Sequence, residues 1–128
     1  MKLTEAQIER QITDWLALDD WRALKTNPCS DKARGKGFGE VGMADVLYIR
    51  YMVELLAPRM PEWDAQAHVM WIEHKRASGV VRPHQLAWHE AESARGALVV
   101  VATEDFEPSL DGIIEWYRVS GLLRRKGL

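Results

Sequence analysis

Four residues in this chain have the types and spacing of hydrolytic chemistry: Asp45, Glu73, Lys75 and Gln85. Glu73 and Lys75 stand two apart in "HVMWIEHK", a segment with the apolar content of a strand. Strand side chains two apart share a face, so the acid and the base point the same way and Ile72 and His74 point the other way. Asp45 begins a second strand-like segment, "MADVLYIRYMV", just after a Gly-rich stretch. Two carboxylates and an ammonium on adjacent strands are what metal-assisted phosphodiester cleavage needs. Hard oxygen ligands hold Mg²⁺, which keeps some of its waters. The metal polarises the phosphate and lowers the pKa of a bound water. A Lys beside it can orient that water or stabilise charge developing on phosphorus. Taken alone, Glu-x-Lys also describes a solvent-facing ion pair, and Asp45 could simply cap its strand. The elements around these residues must decide.

"TEAQIERQITDWLAL" opens with a capping box, in which Thr4 caps and Gln7 reaches back, and Ile8, Ile12, Trp15 and Leu16 keep helical spacing. The pattern predicts a helix over 4–18. "WRALKTNP" reads as a short strand stopped at Pro28, and "CSDKARGKGFGEVG", with four Gly, as a loop. A strand starting near Ala44 follows. Two prolines break residues 54–67 into a loop or hairpin arm with one helical turn. After the strand "HVMWIEHK" and the turn "RASGVVR", Pro83 suits a helix first turn, and "PHQLAWHEAESAR" ends at Gly96. "ALVVVA" has the continuous apolar run of a strand buried on both faces. "SLDGIIEWYRVS" puts Leu110, Ile113, Ile114 and Tyr117 on one helix face, ended by Gly121. The order α-β-β-β-α-β-α predicts one two- or three-layer α/β domain over 1–128, with a central mixed sheet of about four strands flanked by helices.

Composition bounds the rest. A chain of 128 residues, 47% hydrophobic, fits a single core. No run of eighteen apolar residues offers a membrane span, and the amphipathic start lacks the apolar stretch of a secretory signal. The lone Cys29 excludes an internal disulfide and fits a reducing, cytoplasmic compartment. His84 and His89, five apart, fall off one helical face and make no zinc pattern, and no nucleotide-binding Gly-rich motif is present. Net charge is −2, but five bases against one acid lie between Arg22 and Lys36, and four bases with no acid follow from Arg118 onward. Such patches permit a polyanion partner without demanding one.

In combination the motifs resemble the virus-type replication-repair nuclease (VRR-NUC) family of the PD-(D/E)xK, restriction-endonuclease-like superfamily. "GMADVL" is similar to that family's Gly, small residue or Pro, Asp and apolar strand. "WIEHK" is similar to its Trp-Ile-Glu-x-Lys strand, "GVVRPHQLAW" to its Gly, short turn, Gln and Trp, and "ARGALVVV" to the Gly and strand that follow. "EAQIERQITDWL" looks like its first helix. Two features depart from the pattern: Ala44 stands where Pro is common, and segment 50–67 is longer than in compact members.

The resemblance implies a restriction-endonuclease-like core and a Mg²⁺- or Mn²⁺-dependent DNA endonuclease. Asp45 and Glu73 would be metal ligands, His74 would contribute its backbone carbonyl, Lys75 would be the catalytic lysine, and Gln85 would hold the water or Lys75. A helix-one acid would join the site, with a water between it and the metal. Glu5 lies about 35° from the apolar stripe and Glu9 about 75°, which favours Glu5, although a first-turn Glu also complements the helix dipole. Lys32, Arg34 and Lys36, interleaved with glycines before Asp45, and Arg76 beside Lys75, are candidates for gripping DNA phosphates. Trp63 is the one tryptophan outside the predicted elements and so a candidate for stacking. The resemblance further implies a homodimer acting on branched DNA such as four-way junctions, and a phage or prophage setting fits. Residues Tyr51, Met52, Leu55, Leu56, Met60 and Trp63 could form the dimer interface or cap their own core. The competing expectation is a DNA-binding or assembly module that keeps the fold without cleavage.

Overall fold

Thr4 opens the first helix as expected. Its hydroxyl accepts from the Gln7 amide at 3.2 Å, and the Gln7 side chain accepts from the Thr4 amide at 2.8 Å, closing the capping box. The helix, α1 (Glu5–Ala17), turns Ile8, Ile12 and Leu16 inward. In this computed structural model, residues 2–26, 39–52, 66–76 and 78–128 are described. Four strands and two more helices follow: β1 (Arg22–Lys25), β2 (Val46–Tyr51), β3 (Ala67–Glu73), α2 (Pro83–Ala94), β4 (Leu98–Val101) and α3 (Leu110–Ser120). The α/β class and the element order agree with the expectation. Pro28 and most of the segments expected as loop and insertion lie outside the described residues.

The sheet is mixed, in the order β1-β2-β3-β4. The first three strands are antiparallel neighbours, and β4 returns parallel to β3 after the α2 crossover. Alternation along the strands separates two faces. Val46, Tyr48, Met70, Ile72 and Val100 join Ile8, Ile12 and Leu16 of α1 and Ile113 and Tyr117 of α3 in the core. Burying side chains of that size stabilises by roughly 1.5–3 kcal/mol each. On the other face Trp71 meets Trp88 of α2 edge to face, with ring centroids 5.0 Å apart. The sheet therefore lies between α1 and α3 on one side and α2 on the other.

Two expectations are corrected. β4 is not buried on both faces along its length: it is the last strand of the sheet, and Leu98 at its start is 36% exposed. An apolar run reports hydrophobicity but not position in the pairing order. The Glu-x-Lys strand ends at Glu73, so Lys75 lies just past it. No helix among the described residues is long and apolar enough to cross a membrane.

A buried polar knot closes the end of the sheet away from Asp45. Arg50 is 1% exposed and pairs with Asp19 at 2.9 Å. Its guanidinium also donates to Tyr117 Oη and to the Leu122 carbonyl, meets His68 Nδ1 at 2.8 Å, and lies 4.6 Å from the centre of the Trp21 ring. Asp19 in turn accepts from the Tyr117 hydroxyl and from the amides of Arg124 and Arg125. A buried ion pair survives only when the remaining hydrogen-bonding capacity is also met, and here most of it is.

Candidate active site

The antiparallel register pairs Val46 with Ile72, so the next residues outward, Asp45 and Glu73, fall opposite each other. The Asp45 amide donates to Glu73 Oε2 at 3.2 Å, and the His74 amide donates to Asp45 Oδ2 at 3.2 Å. The two carboxylates are thus cross-stitched by backbone amides at the mouth of the β2–β3 pair. Glu73 is fully buried and Asp45 half-buried.

Lys75 and Gln85 complete the cluster. The Lys75 ammonium sits 3.3 Å from Glu73 Oε1 and donates to Gln85 Oε1 at 3.2 Å. The Gln85 amide nitrogen donates to Glu73 Oε1. Gln85 Oε1 also accepts from the Arg82 amide at 3.0 Å, so the same side chain closes the start of α2. Only this orientation of the amide gives its oxygen two donors and its nitrogen a carboxylate. The sequence placed Gln85 in the first turn of a helix, and it is found in the first turn of α2, half-buried, with both amide atoms hydrogen-bonded.

Burial and mutual repulsion set the charges. Burial, and then the nearby Asp45 charge, pushes Glu73 up to about 7, against the opposing pull of Lys75. Burial, and then the Glu5 charge, pushes Asp45 up to about 6. Burial thus disfavours their charged forms, and a cation between them would relieve the repulsion of the ionised pair. Two such oxygen donors, with the His74 carbonyl beside them in the chain, fit a hard divalent ion held through one or two carboxylates and several waters. Among the described residues no three carboxylate, imidazole or thiol groups gather into a full metal cage, a feature that this mode of binding does not require.

The supporting contacts explain why these positions hold still. Gly42 has φ +81°, and a Cβ there would lie 2.1 Å from the His84 carbonyl oxygen, so the loop ahead of Asp45 rests directly on the first turn of α2. Glu40 accepts from the Trp88 indole at 2.8 Å and ties the same loop one turn further along. A Cβ at Gly79 would lie 2.9 Å from Lys75 Cβ, so the turn after β3 packs against the lysine stem. Thr26 donates to the Ala44 and Asp45 carbonyls at 2.7 and 2.9 Å. The His74 ring faces away from the carboxylates, within 2.9 Å of the Tyr48 hydroxyl. Burial drives it down to about 4, so it is neutral and its imidazole is structural.

The remaining candidates are placed unevenly. Glu5 is exposed in the first turn of α1, and its charge acts on Asp45 more strongly than that of Glu9, which pairs with Lys25 at 3.1 Å. Arg76 is exposed one residue beyond Lys75. Lys32, Arg34, Lys36, Leu55, Leu56, Met60 and Trp63 lie outside the described residues; Tyr51 is 51% exposed and Met52 half-buried. Sequence reasoning passed over Glu40, Gly42 and Thr26. Only Gly42 left a signal, its place in the quoted "GMADVL".

No protein-family model, no curated protein and no solved structure matches this chain.

Proposed function

We propose that this protein is a metal-dependent DNA endonuclease of the VRR-NUC type, hydrolysing phosphodiester bonds at the Asp45–Glu73–Lys75–Gln85 cluster. The observation that carries the reading is the meeting of residues spread over forty positions of sequence at one strand mouth: the Glu73, Lys75 and Gln85 side chains bond to one another, and Asp45 joins them through its own amide on Glu73 and the His74 amide on its carboxylate. A structural ion pair has no need of a second, repelling carboxylate beside it, whereas cation binding does.

Asp45, Glu73 and the His74 carbonyl would hold Mg²⁺ or Mn²⁺, with Glu5 acting through a water. The bound ion supplies Lewis-acid polarisation of the phosphate and a water of lowered pKa. The chain's own residues do the rest. Lys75, fixed by Gln85, presents its ammonium to the phosphoryl oxygens as charge builds on them. Hydrolysis forms one P–O bond to water and breaks one to a sugar oxygen, which leaves with a proton. The exposed Arg76 and the loop cations Lys32, Arg34 and Lys36 are assigned to backbone phosphates. A single small domain has little surface for reading base sequence, which favours recognition of DNA shape. Paired cuts in a four-way junction would need two copies related by a two-fold axis.

The deciding assay offers purified protein linear, flapped and four-way-junction DNA with Mg²⁺, Mn²⁺ or EDTA. Cleavage that requires the metal and disappears in Lys75→Ala, with DNA affinity retained, is expected. Undiminished cleavage in EDTA overturns the metal mechanism. Tight DNA binding with no cleavage under any metal condition establishes the binding-module reading instead.

A further inference from the structure

Arg76, assigned above to backbone phosphates, lines a cleft of about 790 Å³ whose other residues that reading leaves unused. Lys2, Thr4 and Ile8 from the start of α1 line one part of it, Arg76 and Ser78 from the turn after Lys75 another, and Ser109 at the start of α3 a third. Lys2 and Arg76 are both exposed, and among the described residues neither makes an ion pair. Two cations from distant parts of the chain, unpaired among the described residues, thus share one concave surface. The chain links that surface to the site twice: Arg76 follows Lys75 directly, and Thr4 precedes Glu5, whose charge reaches Asp45. The hydroxyls of Thr4 and Ser109 are occupied in capping their helices. Glu5 and Asp111 occupy the first turns of those helices and offset their dipoles. The cations, not the helix starts, therefore carry the cleft's affinity for an anion.

We infer that this cleft seats a backbone phosphate of the strand being cut, next to the scissile bond, between the Lys2 ammonium and the Arg76 guanidinium. The inference rests on the nuclease reading and extends it, because it gives the strand a direction of exit from the carboxylates. A phosphate held there fixes the register of the scissile group without reading sequence.

The test measures DNA binding in the Lys75→Ala background, after the cleavage position has been mapped with the unaltered protein. Oligonucleotides carry a single neutral methylphosphonate linkage at successive positions around that point. One neutral linkage beside the cleavage position should weaken binding about 3- to 10-fold. Lys2→Ala with Arg76→Ala should lower the salt-dependence slope by about one, the share of a single phosphate, and abolish sensitivity to that linkage. Lys2→Arg with Arg76→Lys should keep both, and the melting temperature should not move, since both side chains are exposed. If the alanine pair retains the slope and the linkage sensitivity, the cleft does not touch DNA, although DNA binding by the protein still stands. If the Lys75→Ala protein binds no DNA at all, the nuclease reading and this inference fall together.

Discussion

Gln85 joins the two charged groups of the site: its amide oxygen accepts from Lys75 and its amide nitrogen donates to Glu73. The same oxygen caps the Arg82 amide, so the helix start and the site share one side chain. Groups that orient functional side chains typically contribute 10- to 100-fold. Gln85→Ala should lower the cleavage rate by about that factor and loosen the start of α2 by roughly 1 kcal/mol. Gln85→Glu keeps an acceptor for Lys75 but sets a carboxylate against Glu73. Its pH–rate profile should shift to higher pH. Rates equal to those of the unaltered protein for both variants would remove Gln85 from the site.

The raised carboxyl pKa values carry a stability consequence. Asp45 titrates at about 6 in the fold against 3.8 ordinarily. Its contribution to stability is therefore full below the ordinary value and is lost as pH rises through 6. At pH 8 the metal-free protein holds two repelling anions at the mouth of β2 and β3. Asp45→Asn should raise its melting temperature by several degrees, about 1–3 kcal/mol, with the gain shrinking towards pH 5. Mg²⁺ or Mn²⁺ should raise the melting temperature of the unaltered protein at pH 8 and leave the Asn variant nearly unmoved. Calorimetry with and without EDTA checks both statements, independently of any activity.

Gly42 meets two demands that no other residue can satisfy together, a positive φ and contact with the His84 carbonyl. Gly42→Ala should destabilise by roughly 1–3 kcal/mol. It should also cut cleavage disproportionately, because Asp45 lies three residues on. A denaturant midpoint and a rate measured well below the unfolding transition separate the two effects.

Local signals carried much of this architecture. The Thr4–Gln7 box, the apolar stripe Ile8–Ile12–Leu16 and Pro83 at a helix start are patterns within a few residues, and each appears where expected, whereas the strand expected to carry both Glu73 and Lys75 stops at Glu73. Pairing order is not local. Nothing in "ALVVVA" says that β4 ends the sheet, and nothing in "YIRYM" says that Arg50 is buried, because its compensation comes from residues 18 to 72 positions away. Asp45 and Glu73 were identifiable as a pair through the resemblance, while their amide cross-stitching follows from register alone.

Arg50 and Asp19 make the far end of the sheet intolerant of losing either partner. Asp19 is held below the usual carboxylate range: burial pushes it up, but the Tyr117 hydroxyl, the amides of Arg124 and Arg125, and the Arg50 charge together outweigh it. Its contribution is therefore present above the ordinary value of 3.8 and lost as pH falls through its lower folded value. Asp19→Ala leaves Arg50 uncompensated and should cost about 3–5 kcal/mol. Chemical denaturation at pH 7 measures this, and a cost below 1 kcal/mol would show that water reaches the guanidinium.

That knot also orders events during synthesis. Asp19 is made before the amides that satisfy it, which belong to Arg124 and Arg125, more than a hundred residues later. Until they emerge, α1 and the first strands have no means of enclosing Asp19 with all its partners. The far end of the sheet therefore closes only once the segment that carries Arg124 and Arg125 is in place.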